Sequence, residues 1–134
     1  MNDIASLLME DDTTVAVVGA TDDPGKYGSV IYRDLKSKGF DVYAVNPHRD
    51  SVDGDPAYAS LGDLPQKPTI VNIVIPPDQT LRVLEDARDA GITNAWIQPG
   101  AGGSDVIDYL DRHGFTYLAN ACIMVRSRHR AASH

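Results

Sequence analysis

A chain of 134 residues, 43% of them hydrophobic, fits one domain with a sizeable core and is too short for separate cofactor and substrate domains. Its formal net charge is −7, carried almost entirely by aspartate, 17 against two glutamates, spread along the chain. That balance argues against non-specific binding to nucleic acid or to an anionic membrane surface, and most of the acid reads as solvated surface.

The opening MNDIASLLMEDD is acidic with a short apolar patch, so a short amphipathic helix is expected there and no secretion signal. Thr14 to Gly19 (TVAVVG) is a continuous β-branched run, the pattern of a strand buried on both faces. Ser29 to Lys38 follows as a helix with Val30, Ile31 and Leu35 on one side, stopped by Gly39. Asp41 to Val45 is a second strand, ended by Asn46-Pro47. A loop rich in Asp, Gly and Pro comes next, with a short turn at Ser60 to Leu64. Thr69 to Ile75 is a third strand, closed by Pro76-Pro77, and Asp78 to Ala90 a helix with Leu81, Val83, Leu84 and Ala87 as its apolar side. Asn94 to Gln98 is a fourth strand. Ser104 is expected to cap a helix running to His113, with Val106, Ile107 and Leu110 inward. Phe115 to Leu118 is a fifth strand, and Cys122 to Val125 a short terminal one. Residues 127–134, with two arginines, read as a frayed tail.

Strands alternating with helix-length crossovers mean a parallel sheet with right-handed connections. The expected architecture is α/β: a single Rossmann-like, doubly wound domain of five to six strands over residues 1–134, with its core at about residues 10–126. Ligands of such sheets bind beyond the carboxyl ends of the strands, near the switch in strand order. That rule selects the loops after Gly19, Val45, Ile75 and Ile97.

The first of these loops runs from Gly19 through Ala20, Thr21, Asp22, Asp23, Pro24, Gly25, Lys26 and Tyr27 to Gly28. Gly19 lets the chain turn sharply out of the strand, and Gly28 opens the helix without a side chain. The amino end of that helix favours a phosphate, Lys26 adds a point charge and Thr21 a hydroxyl. The spacing is about three residues longer than the dinucleotide fingerprint. An ordinary strand–helix connection is the alternative. Asp22 and Asp23 either cap backbone amides or repel an anion. The end of the second strand is the next discriminator. Dinucleotide sites place an acid there for the ribose hydroxyls; here it reads Asn46-Pro47-His48-Arg49, with cationic Arg49 and His48 in that place. A basic group suits a ribose phosphate, as in NADP or in the 3′-phosphate of coenzyme A. Ile75-Pro76-Pro77 forms a rigid apolar wall suited to an adenine or a pantetheine arm, or else simply starts a helix with proline.

Taken together, VAVVGATDDPGKYGSVIYRDL, VYAVNPHRDSVDGDPAYASLGDLP, VNIVIPPDQTLRVLEDARDAGITNAWIQPGA and the late NACIMV resemble the coenzyme A-binding domain family. That family includes the amino-terminal domain of succinyl-CoA synthetase alpha subunits, the matching domain of ADP-forming acyl-CoA synthetases, and small stand-alone versions. The resemblance covers nearly all of residues 10 to 126. It implies a site for coenzyme A or an acyl-CoA, with Gly19, Ala20, Thr21, Lys26, Tyr27 and Gly28 at the phosphates and Arg49, beside His48, near the 3′-phosphate. It places Asn46, Pro47, Ile75, Pro76 and Pro77 along the adenine or pantetheine. Where stand-alone members often carry an acid after the Cys-Ile-x-Val stretch, Arg126 stands here.

In the synthetases the chemistry needs a phosphohistidine domain and an ATP-grasp domain, for which 134 residues leave no room, so a non-catalytic binding module without catalytic residues is expected. No Ser/His/Asp arrangement and no Cys/His ligand cluster suggests a metal or a nucleophile. One cysteine, Cys122, excludes an internal disulfide and is consistent with a reducing cytoplasm. It reads as a small hydrophobe by the last strand, or, more sharply, as a thiol able to form a mixed disulfide with coenzyme A. The competing class is a redox enzyme or sensor domain binding NADP or NAD. A homodimer or an unnamed protein partner is compatible with the sequence and fixed by no feature of it.

Overall fold

The computed structural model describes residues 4–127. A short helix α1 (Ile4–Leu7) precedes strand β1 (Thr14–Val18), helix α2 (Tyr27–Ser37) and strand β2 (Asp41–Val45). A hairpin follows, β3 (Ser51–Val52) and β4 (Asp55–Tyr58), then a 3₁₀ turn at Leu61–Asp63. The second half alternates β5 (Ile70–Ile73), α3 (Pro77–Asp89), β6 (Asn94–Ile97), α4 (Ser104–Arg112) and β7 (Thr116–Ala119), and ends in α5 (Ile123–Arg126).

These strands make one sheet in the order β3-β4-β2-β1-β5-β6-β7. Every pairing is parallel except β3 with β4. Strand β1 sits at the switch point: the chain first winds outward through β2, then returns to the other side of β1 as β5. The doubly wound expectation holds, with seven strands rather than five or six. All five residues of β1 are buried, and alternation divides them between two cores. Ala16 and Val18 join Ile73, Leu84, Ile97 and Leu110 on one face, while Val15 and Val17 join Ile31, Leu35, Trp96 and Ile123 on the other. Each valine, leucine or isoleucine so removed from water contributes roughly 1.5–3 kcal/mol before entropy is counted.

Four local expectations change. The Asp/Gly/Pro-rich loop holds the β3–β4 hairpin, whose turn residues Asp53 and Gly54 both have positive φ, 52° and 81°. That is the geometry an Asp-Gly pair favours between antiparallel strands. In α2, Val30 faces solvent while Ile31, Tyr32 and Leu35 are inward. Helix α4 takes Gly103 as its cap residue, and Ser104 is its first helical residue without a capping side-chain bond. Cys122 to Val125 is not a strand. After β7 the chain turns at Asn120, φ 57°, and the Ile123 amide donates to Gln98 Oε1 at 2.9 Å instead of to a neighbouring strand. Helix α5 then buries Ile123, with Cys122 as its half-buried cap residue. Of the expected frayed tail, only Ser127 lies within the described residues.

Candidate functional site

The carboxyl ends of β1, β2 and β5 open into a cleft of about 1270 Å³. It spans the switch point, where the topology leaves a crevice between loops that run to opposite faces. Gly19, Thr21, Lys26, Tyr27 and Gly28 line one side, Asn46, Pro47, His48 and Arg49 the second, and Ile75 and Pro76 the floor. Two expected residues lie elsewhere: Ala20 is fully buried in the core beneath the loop, and Pro77 starts α3 outside the lining. Cys122 does not reach the lining either.

The first loop leaves β1 through Gly19, φ 104°, where a Cβ would stand 2.9 Å from Val74 Cγ1 and 3.0 Å from Ile75 Cγ2. Gly28 is tighter still. A Cβ there would lie 1.9 Å from the carbonyl oxygen of Gly19, so the first turn of α2 packs directly on the backbone leaving β1. Between the glycines the loop satisfies itself: the Asp23 amide donates to Thr21 Oγ1 at 3.2 Å and the Gly25 amide to Asp23 Oδ1 at 3.1 Å. Asp23 therefore caps an amide at the cleft, while Asp22 turns the other way. Lys26, the cap residue of α2, brings its charge to the helix's positive end.

Asn46 braces the second side. Its Nδ2 donates to the Ala20 carbonyl at 2.9 Å, and its Oδ1 accepts the His48 amide at 2.8 Å. Its own amide donates to Tyr58 of β4 at 2.8 Å, and the Gly19 amide donates to Val45 at 3.0 Å. One side chain thus ties the loop after β1 to the turn that carries Arg49. The hairpin beyond that turn is clipped to α2. Lys36 Nζ lies 3.1 Å from Asp53 Oδ2 and 2.9 Å from Asp55 Oδ2, and Tyr32 donates its hydroxyl to Asp55 at 2.7 Å. Burial and then Asp55 push the Tyr32 phenol well above its ordinary range, so it stays a donor. The Tyr32 bond, followed by Lys36, holds the Asp55 carboxyl below the usual aspartate range.

The third side was not foreseen. Helix α3 presents Asp78, Gln79, Arg82, Val83 and Asp86 to the cleft, and the 3₁₀ turn adds Ser60 and Leu61. From sequence, the polar α3 residues were indistinguishable from a solvated helix face. The Ala-Tyr-x-Ser-Leu stretch before the 3₁₀ turn was legible only as part of a resemblance. No group of three or more His, Cys, Asp or Glu among the described residues is placed to hold a metal. No helix of the described residues is long and apolar enough to cross a membrane.

The profile of the CoA binding domain matches residues 13–128, a span that includes every loop of the cleft. The chain belongs to the CoA-binding domain family. This CoA-binding domain is 26% identical over 126 residues to the alpha subunit of an ADP-forming acetate–CoA ligase II of Pyrococcus furiosus, covering 86% of the chain but 28% of that subunit. It is 25% identical over 118 residues to the uncharacterised protein YneT of Bacillus subtilis, covering 88% of one and 87% of the other. A solved structure of a conserved hypothetical protein from Pyrococcus furiosus superimposes with a TM-score of 0.83 at 39% identity, over 86% of this chain and 99% of that one. The domain thus spans little more than a quarter of the ligase subunit and most of each small protein.

Proposed function

We propose that this domain binds coenzyme A or an acyl-CoA in the switch-point cleft and performs no chemistry on it by itself. The observation that carries the reading is the convergence on one cleft of the glycine loop with Lys26, the Asn46-braced turn with Arg49, and the apolar Ile75-Pro76 floor. The residues fit the ligand. A large cleft suits a long nucleotide thioester better than a small metabolite. Gly19 and Gly28 let the first turn of α2 pack directly against the end of β1, which sets the amino end of that helix at the cleft. The α2 amino end and Lys26 attract the diphosphate. Arg49 forms a charge-assisted pair with the 3′-phosphate, and Ile75, Pro76 and the exposed Tyr27 ring give apolar surface to adenine and pantetheine. The family profile and the ligase resemblance support coenzyme A in particular. The bound thioester would be presented to chemistry supplied by another chain or domain.

The test is thermal unfolding with coenzyme A, acetyl-CoA, dephospho-CoA, NADP, NAD and ATP at equal concentrations, since a ligand of the native state stabilises by RT ln(1 + [L]/Kd). The expected result is a rise with coenzyme A, a smaller one with dephospho-CoA and none with NAD. A rise with NADP or NAD alone would move the cleft to redox chemistry, and no rise with any of the six would overturn the reading.

A further inference from the structure

Asp22 of the first loop reaches out of that loop with its carboxylate. Its Oδ1 accepts the Asp53 amide at 2.7 Å, in the turn of the β3–β4 hairpin. Its Oδ2 lies 3.9 Å from Arg49 Nη1. The two oxygens do different jobs. The amide bond anchors the carboxylate, and the anchor is itself fixed, because the Asp53 carboxylate is held by Lys36 at 3.1 Å and Arg33 at 3.7 Å. The second oxygen stands within ion-pair range of Arg49 but beyond hydrogen-bond length. Both side chains are well exposed, 40% and 38%, so the guanidinium is free to swing while the carboxylate is not.

A fixed anion beside a movable cation has one consequence for an anionic ligand. Arg49 faces the cleft, and any phosphate it takes must share it with Asp22 and come near a negative charge that cannot retreat. We propose that Asp22 is a specificity-determining residue that competes with the ligand's terminal phosphate for Arg49. It lowers affinity for ligands bearing a phosphate monoester there and leaves ligands with a hydroxyl at that place almost unaffected. The site is thereby tuned to release coenzyme A, rather than to retain it as a resident group. This rests on the reading of Arg49 as the phosphate contact.

The experiment is calorimetric titration of coenzyme A and dephospho-CoA into the wild type, Asp22→Asn, and the same substitution in an Arg49→Ala background. Asparagine keeps the oxygen that accepts the Asp53 amide and removes the charge. Asp22→Ser, with a shorter acceptor, is a second variant should the first unfold. The expected result is that the ratio of the two affinities rises about fivefold in Asp22→Asn, the size of one screened charge pair near a surface, and does not change when Arg49 is alanine. An unchanged or lowered ratio in Asp22→Asn, with the wild type preferring coenzyme A, overturns competition by Asp22 alone. Equal affinities in both the wild type and Asp22→Asn overturn the assignment of Arg49, and competition with it.

Discussion

The two walls of the cleft are built in opposite ways. The wall formed by the β1 loop and the Asn46 turn is braced at every step: Asn46 bonds both neighbouring loops, Asp23 and Thr21 bond their own, and Asp22 reaches the hairpin. On the α3 wall, the side chains of Asp78, Gln79, Arg82 and Asp86 make no hydrogen bond or ion pair among the described residues. That wall is held from behind, where buried Leu84 and Ala87 enter the core and Thr80 donates to the Ala101 carbonyl at 2.8 Å. The difference teaches which wall can be read as prebuilt. Groups fixed before a ligand arrives cost it no ordering, whereas free side chains lose rotamer freedom on contact. On the proposed reading, the braced wall would set where phosphates go, and the α3 wall would be available to adapt.

The strongest way to break the contrast is Gly28→Ala. A methyl group 1.9 Å from a backbone oxygen cannot be accommodated by a side-chain adjustment. We expect a loss of about 3 kcal/mol by denaturant titration, together with loss of coenzyme A binding; a loss below about 1 kcal/mol would mean that the loop is not fixed against α2. Asn46→Ala removes two side-chain bonds, one joining the two loops and one within its own turn, and should cost about 2 kcal/mol while weakening coenzyme A binding. Intact binding would show that the brace belongs to the fold and not to the site.

Smaller effects sharpen the comparison. Asp55 has its carboxyl lowered in the folded state, first by the Tyr32 hydroxyl and then by Lys36. A lowered folded value contributes stability that is fully present above the ordinary aspartate value near about 3.9 and is lost as pH falls through the lowered one. Asp55→Asn should therefore flatten the acid limb of the stability profile below about pH 4 and leave it unchanged in shape near neutrality. The same slope in both proteins would remove Asp55 from the account. Smallest of all, Arg82→Ala should alter stability by less than about 0.5 kcal/mol. A fall in coenzyme A affinity with stability unchanged would enrol the α3 wall in binding; a stability loss above that size would show hidden support.

The parallel sheet was legible because buried β-branched runs such as 14–18 alternate with helices closed by glycine, and three of the four loops selected by the strand-end rule line the cleft, the loop after Ile97 lying outside it. The hairpin was missed for a physical reason. Strands of two and four residues, Ser51–Val52 and Asp55–Tyr58, are too short to show alternation, and Pro56 argues against a strand. The Asp53-Gly54 pair between them was the available sign. Missing it hid the role of Asp22, since the partner amide lies 31 positions on in sequence. Gly28 was legible as a position without a side chain, but the neighbour that requires it, the Gly19 carbonyl, emerges only from how α2 docks. The last segment failed because local apolar pattern cannot distinguish a four-residue helix from a strand; the Gln98 side chain decides it by taking the Ile123 amide.

The chain's single tryptophan, Trp96, is fully buried on β6, with its indole nitrogen donating to the Ala121 carbonyl at 2.9 Å. It lies outside the cleft lining and in the core that also buries Ile123. Its emission is therefore a built-in optical gauge of that core and of the docking of the β7–α5 segment. It should redden when either opens and stay steady while the cleft fills, so it would report unfolding without interference from occupancy.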